Sequence, residues 1–186
     1  MGKNNLARIM TEKAVAVGTI VHEISSISQA VQYAVDLIKK KNLKTLACPG
    51  LDPKDREILL DLCKSSGLNL LEEPLRNHAS SLDTALTWVD YGIAETGTLM
   101  LASDSEEIRI ATMLASIHIA MLPISKIRQD TSAIEADLND ILKNDSPSYT
   151  AFITGPSRTA DIERVLAIGV HGPVELHLLL IKDIQP

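Results

Sequence analysis

TLACPGLDPKDREILLDLCKSSGLNLL, residues 45–71, sets the architecture. Thr45-Leu46-Ala47-Cys48 is a short apolar run of strand length, and Leu68 to Leu71 is another. Between them, Asp52-Pro53 puts an N-cap residue before a proline at the first helical position. Ile58, Leu59, Leu62 and Cys63 fall on one helical face, and Gly67 is placed as a C-cap. Strand, helix and strand with short links predict a right-handed parallel unit.

Upstream, Ala30, Val31, Ala34, Val35, Leu37 and Ile38 recur at helical spacing, predicting a helix over 27–41. Ser26 and Gln29 have capping-box spacing at its start. Residues 1–20 read as an N-terminal extension with a helix around Leu6–Val17; one domain then spans 21–186. Downstream, residues 72–90 read as a loop with a short helix around Leu82–Leu86. Tyr91 to Leu101 reads as two short strands joined by a glycine turn. Asp104 and Glu107 are placed to cap a helix ending near Leu114. Ile117–Leu122 is a strand stopped by Pro123, and Ser132 with Glu135 opens a helix to about Leu142. Tyr149–Thr154 is a strand running into a helical turn within Gly155 to Glu163. Val165–Val170 and Val174–Ile181 are the last strands. The alternation predicts an α/β fold: an open, mostly parallel sheet with helices on both faces.

A length of 186 residues favours one domain. Hydrophobic residues make up 45% and charged residues 23%, an ordinary globular balance. Aromatics are only 3%, which argues against a single-stranded nucleic-acid binder that needs stacking rings. The formal net charge is -6, and the only dense basic block is Lys39-Lys40-Lys41, so no DNA or RNA partner is expected. A small anion needs only a few local donors, so it stays open as a ligand. Cys48 and Cys63 form no Cys-x-x-Cys; they are expected to be reduced, buried thiols. His22, His78, His118, His171 and His177 show no ligand spacing, so no metal is expected. No apolar run reaches the ~20 residues of a membrane helix. The polar first dozen residues lack a signal-peptide core, and the cytoplasm is the expected compartment.

Four segments could carry chemistry. In Ala94-Glu95-Thr96-Gly97-Thr98, a glycine after a strand lets backbone N–H groups approach an anion, and Glu95 could serve as nucleophile, acid or base. The plainer reading is a tight turn with a solvated carboxylate. In Thr154 to Glu163, Gly155, Ser157 and Thr159 could present N–H groups and hydroxyls at a helix start, an anion site, or merely cap that helix. Gly169-Val170-His171-Gly172-Pro173 makes a rigid turn that offers His171 as a base, or only an exposed imidazole. His177, between Leu176 and Leu178, reads as packing or surface. Arg109, considered with His118, could hold a carboxylate or phosphate; a surface ion pair with Glu106 or Glu107 is the competing reading.

Ile93-Ala94-Glu95-Thr96-Gly97-Thr98 resembles the central signature of the lactate-utilisation (LUD) domain family. Ile153-Thr154-Gly155-Pro156-Ser157-Arg158-Thr159-Ala160-Asp161-Ile162-Glu163 resembles its C-terminal signature, continued by Gly169 to Pro173 and Glu175-Leu176-His177. The resemblance covers roughly residues 20–182 and is closest to the stand-alone C-type subunit. It implies a fold of the ribose-phosphate isomerase and coenzyme A transferase superfamily. It also implies a non-redox part in the oxidation of L-lactate to pyruvate. The chain would carry no cofactor of its own; the iron–sulfur clusters would sit on partner subunits. The implied ligand site combines Thr96, Gly97, Thr98, Arg109, Gly155, Ser157, Thr159 and His171 around a small anion, at the C-terminal ends of parallel strands. Self-association is a further option. The alternative is an enzyme in its own right, with Glu95 acting like the glutamate of coenzyme A transferases, which forms an acyl anhydride. The segment Ser103 to Arg109 departs from the glycine- and asparagine-bearing stretch of longer relatives, which would alter any pocket it lines.

Overall fold

Thr45 pairs with Asn69 and Leu46 with Leu70 in parallel, with a helix between them, as residues 45–71 predict. Asp52 accepts the Lys54 N–H at 2.9 Å, and Gly67 ends the helix at φ +67°. The computed structural model describes residues 2–143, 149–160, 166–169 and 172–182. Helices α1 (Lys3–Ala16), α2 (Ile27–Lys40) and α3 (Pro53–Ser66) alternate with strands β1 (Ile20–Ile24), β2 (Thr45–Ala47) and β3 (Asn69–Leu70). Then come β4 (Thr84–Trp88), β5 (Tyr91–Ile93), β6 (Thr98–Ser103), α4 (Glu106–Leu114), β7 (Ile117–Pro123), β8 (Ile127–Arg128) and α5 (Glu135–Leu142). Strands β9 (Tyr149–Ile153), β10 (Arg158–Ala160), β11 (Leu166–Ile168) and β12 (Glu175–Ile181) complete the described elements.

The main sheet has six strands in the order β1-β12-β7-β4-β2-β3, and every neighbouring pair is parallel. On one face α2 and α3 pack Val31, Ala34, Ile38 and Leu59 against Leu46, Leu86, Ile119 and Leu179. On the other, α1 buries Ala7, Met10 and Ala14 in a cluster with Ala120, Leu122, Leu178 and Leu180. A second, four-stranded sheet, β8-β5-β6-β9, adds Leu99 and Leu101 to that cluster. Helix α4 and the residue that follows it cover Ala47 and Ala85 through Ala111 and Ala115. The predicted α/β class and mostly parallel sheet hold; the second sheet is additional to that expectation.

Four local expectations are corrected. Thr84–Trp88 is a strand of the main sheet, not a short helix. It is buried on both faces, so it lacks the alternation that marks a half-exposed strand. The helical turn comes earlier, as a 3-10 segment over Leu75–Ser81. Helix α4 starts after Ser105 without a side-chain cap, because the Glu107 carboxylate accepts the Leu75 N–H at 2.7 Å instead. At the next start, Asp130 accepts the Ala133 N–H at 2.9 Å, and α5 begins only at Glu135. The segment after Gly155 is not a helical turn: β10 pairs antiparallel with β11, Arg158 opposite Ile168.

The Ser26 cap is as predicted. Its side chain accepts the Gln29 N–H at 3.2 Å, and Gln29 Oε1 accepts the Ser25 N–H at 2.8 Å. Ser26→Ala should therefore cost about 1 kcal/mol of stability. Urea denaturation is the check: a lower midpoint with an unchanged slope is expected, and an unshifted midpoint would show the cap is idle.

Candidate functional site

Two of the signature segments meet at the C-terminal end of α1. Gly97 sits in the β5–β6 turn at φ +67°, its N–H bonded to Ile93 O at 3.0 Å. A Cβ there would stand 2.4 Å from the Ala14 backbone nitrogen, so this turn is pressed onto the helix. Gly155, at φ +73°, comes as close: its Cβ would lie 2.3 Å from Val17 O. Arg158 Nη2 donates to that same carbonyl at 2.6 Å, placing a cation at the negative end of the helix. A row of hydroxyls joins the two segments: Thr96 to Thr98 at 2.7 Å, and Thr98 to Thr154 at 2.8 Å.

From Thr154 the chain forms one wall of a cleft of about 450 Å³. Strand β9 continues that wall with Tyr149, Ala151 and Phe152. The opposite wall comes from Thr112 and Met113 of α4, His118 of β7 and Leu176 of β12. Gly172 and Pro173 close one end. The cleft thus opens where β9, the edge strand of the second sheet, faces α4 and the main sheet. His118 and Leu176 are the second residues of their strands, so it lies at the N-terminal ends of β7 and β12. This cleft is not at the C-terminal ends of the parallel strands, where the sequence reading expects the site; the second sheet creates it elsewhere.

Charge on the cleft is simple. Among the described residues that line it, Arg158 is the only ionised one. A guanidinium has five N–H donors, and one goes to Val17 O. His118 is 1% exposed, and its Nε2 lies 2.8 Å from Thr87 Oγ1. Burial pushes its pKa down to about 4, so its imidazole is neutral at physiological pH. Thr112, Thr154 and Ser157 add hydroxyls. Among the described lining residues, one cation, the hydroxyls of Thr112, Tyr149, Thr154 and Ser157, and no carboxylate suit an anion.

The predicted site residues fall into separate groups. Thr96, Gly97, Thr98 and Gly155 come together at the end of α1, and Gly155 and Ser157 line the cleft. The Ser157 N–H is engaged with Pro173 O at 2.9 Å, so it is not an open helix-start donor. Thr159 lies in β10, opposite Ala167. His171 lies outside the described residues. Arg109 does not pair with Glu106 or Glu107; its Nη1 donates to Ser103 O at 3.3 Å, and Glu106 pairs with Arg76. Glu95 is exposed in a different groove, about 240 Å³, beside Lys13, Gln129 and Asp130. Its N–H donates to Gln129 O at 3.0 Å.

Sequence reasoning passed over Arg158, Thr154 and Thr112 as ligand donors. Arg158 was visible as the one cation inside the C-terminal signature; nothing local marked Thr112 or the walls from β9. His177 is buried, as one of its two readings held. Its Nδ1 lies 2.7 Å from the Tyr33 hydroxyl and its Nε2 3.1 Å from Glu175. Lys41 Nζ lies 2.5 Å from the other oxygen of that carboxylate. Burial lowers the His177 pKa, and Glu175 opposes that shift. Cys48 and Cys63 are free and buried, as expected. Among the described residues there is no metal-binding group of three His, Cys, Asp or Glu, and no helix long and apolar enough to cross a membrane.

Comparison with known proteins gives a consistent result. The LUD domain family matches residues 7–181. Lactate utilization protein C of Halalkalibacterium halodurans is 29% identical over 192 residues, covering 97% of this chain and 80% of that protein. Lactate utilization protein C of Anoxybacillus flavithermus is 35% identical over 105 residues, 56% of this chain and 46% of that protein. The chain therefore spans most of one relative and about half of the other. The crystal structure of a DUF162 family protein from Deinococcus radiodurans superimposes with a TM-score of 0.62. It covers 97% of this chain and 99% of that one at 15% identity, a likeness of fold.

Proposed function

Because this chain belongs to the LUD domain family, we propose that it serves L-lactate utilisation as a non-redox subunit that holds a small anion in the cleft beside β9. Its redox partners are iron–sulfur subunits of a lactate-oxidising complex, and no redox cofactor sits on this chain. Two relatives bear the name lactate utilization protein C, which supports the physiological setting. The observation that carries the ligand class is Arg158, the sole ionised residue among the described lining residues, flanked by the hydroxyls of Thr154 and Ser157.

The test is growth on L-lactate of a strain deleted for its own C-type subunit. This chain should restore growth, Arg158→Lys should keep most of it, and Arg158→Gln should lose it while remaining folded by circular dichroism. Co-purification of iron–sulfur subunits with the complementing chain tests the partnership. Full growth with Arg158→Gln would sink the anion reading.

A second reading, a coenzyme A transferase-like enzyme, is favoured by the exposure of the Glu95 carboxylate on a glycine turn. It makes the reverse prediction. Glu95→Gln would then abolish growth, whereas the cleft reading leaves growth intact, because Glu95 lies outside the cleft.

A further inference from the structure

We infer that His118 is a ligand-binding residue of the cleft, and that the anion held on Arg158 is an organic one whose hydroxyl group hydrogen-bonds His118 Nδ1. The inference rests on the anion-binding reading above and adds a second point of recognition to it.

The strand pattern aims the imidazole. Side chains two residues apart share one face of a strand. On β7, His118 therefore points the same way as Ala120 and Leu122, which pack in one cluster with Leu99 and Leu101 of the second sheet. Leu176 of β12, its neighbour in register, belongs to that cluster too. On β9, Ile153 packs against the same cluster, and Ala151 shares its face. The imidazole thus stands in the space between the two sheets, where the cleft opens.

One of its ring nitrogens is engaged and the other is not. Nε2 lies 2.8 Å from Thr87 Oγ1. Nδ1 makes no hydrogen bond among the described residues, although the residue is only 1% exposed. Nor is that nitrogen sealed off: among the described residues, the sealed side-chain atoms without a partner are Thr19 Oγ1, Thr84 Oγ1 and Thr150 Oγ1. Two hydroxyls of the cleft are already engaged, Thr112 with Ile108 O at 2.9 Å and Thr154 with Thr98 at 2.8 Å. Nδ1 is therefore a deep polar atom that faces the cleft with its bonding capacity open.

The chemistry of its partner follows from the imidazole. Burial keeps the ring neutral at physiological pH, so it attracts no second charge. The Thr87 hydroxyl can donate to Nε2 or accept from it, which leaves Nδ1 as acceptor or donor according to the tautomer. A hydroxyl both donates and accepts, so it meets Nδ1 in either tautomer, whereas a carbonyl or an ammonium meets only one. At about 450 Å³, the cleft is of a size that encloses whole organic ligands.

Isothermal titration of the full chain with two matched pairs tests this: glycerol 3-phosphate against propyl phosphate, and L-lactate against propionate. In at least one pair the hydroxylated member should bind about tenfold more tightly, because its analogue leaves a buried polar atom unpaired. His118→Leu should abolish that preference and leave the analogue's affinity unchanged, whereas Arg158→Gln should weaken both members. If both members of each pair bind equally through Arg158, or if the preference survives His118→Leu, the inference falls and the anion reading stands. If no probe binds, both fall. Nitrogen-15 spectra of the unmodified chain, labelled at histidine, give a second measurement that needs no variant to fold. The His118 Nδ1 resonance should move with the hydroxylated probe and not with its analogue; equal movement with both would overturn the inference.

Discussion

Gly97→Ala should melt about 10 °C below the unmodified chain. Two costs combine. At φ +67° a side chain costs about 1–2 kcal/mol, because its Cβ crowds the following carbonyl. The new methyl group would also stand 2.4 Å from Ala14 N and 2.6 Å from the Lys13 carbonyl carbon. Those are backbone atoms of a helix, so α1 must move as a body. Moving it opens the buried contacts of Met10 and Ala14. A total near 4 kcal/mol is the upper range for one substitution. In a domain of this size each kcal/mol is worth about 2–4 °C. Gly67→Ala is the internal control. Gly67 has the same φ of +67°, with nothing within 4 Å of an added Cβ. It should lose only the conformational part, about 3 °C. Calorimetry of the two variants decides the point: equal losses would mean that the contact with α1 contributes nothing.

The second large effect is on pH. His118 titrates near 4 in the folded chain, against about 6.5 when unfolded, because burial disfavours its charged form. Between those values the unfolded chain holds a proton that the folded chain lacks. Stability therefore falls as pH drops below about 6.5 and stops falling below about 4. From pH 7.5 to 5 the loss should be roughly 2 kcal/mol. His177 has the same sign, since its pKa is also lowered by burial. The carboxylates of Asp137 and Glu175, whose pKa values are lowered too, act at more acidic pH. Subtracting a His118→Gln variant isolates the one group. Urea unfolding at the two pH values should show the steep dependence in the unmodified chain and a shallower one in the variant. Parallel dependences would place the acid sensitivity elsewhere.

The parallel framework was legible because its signals are local. Asp52, Pro53 and Gly67 punctuate α3, and the box of Ser26 and Gln29 starts α2, whatever the rest of the chain does. Thr84–Trp88 was not legible, because a strand covered on both faces presents no period. Arg158–Ala160 was misread for another reason. Gly155-Pro156-Ser157 is as good a helix start as a strand entry, and only pairing with Leu166–Ile168 decides between them. The candidate site divides the same way. Its glycines and hydroxyls are adjacent in sequence, so they could be named. Its walls come from α4, β7, β9 and β12, and no spacing along the chain announces that they face one another. Arg109 shows the limit: two glutamates one helical turn or less away were natural partners, and both are taken by groups from the Leu75–Arg76 segment.

The place of β12 in the sheet governs how the chain can be made. It is the last of the described strands in sequence, yet it sits between β1 and β7. Ile20 lies beside His177, with every other strand of the main sheet between them in sequence. Pairings of such long sequence separation close large loops before they repay the lost entropy, so assembly is slow compared with a helical bundle. A nascent chain that has not yet released Glu175–Ile181 holds β1 and β7 with unpaired edges, a ready template for the wrong neighbour. Synthesis must therefore pass Ile181 before the middle of the sheet exists, and until then the chain is at its most vulnerable to aggregation.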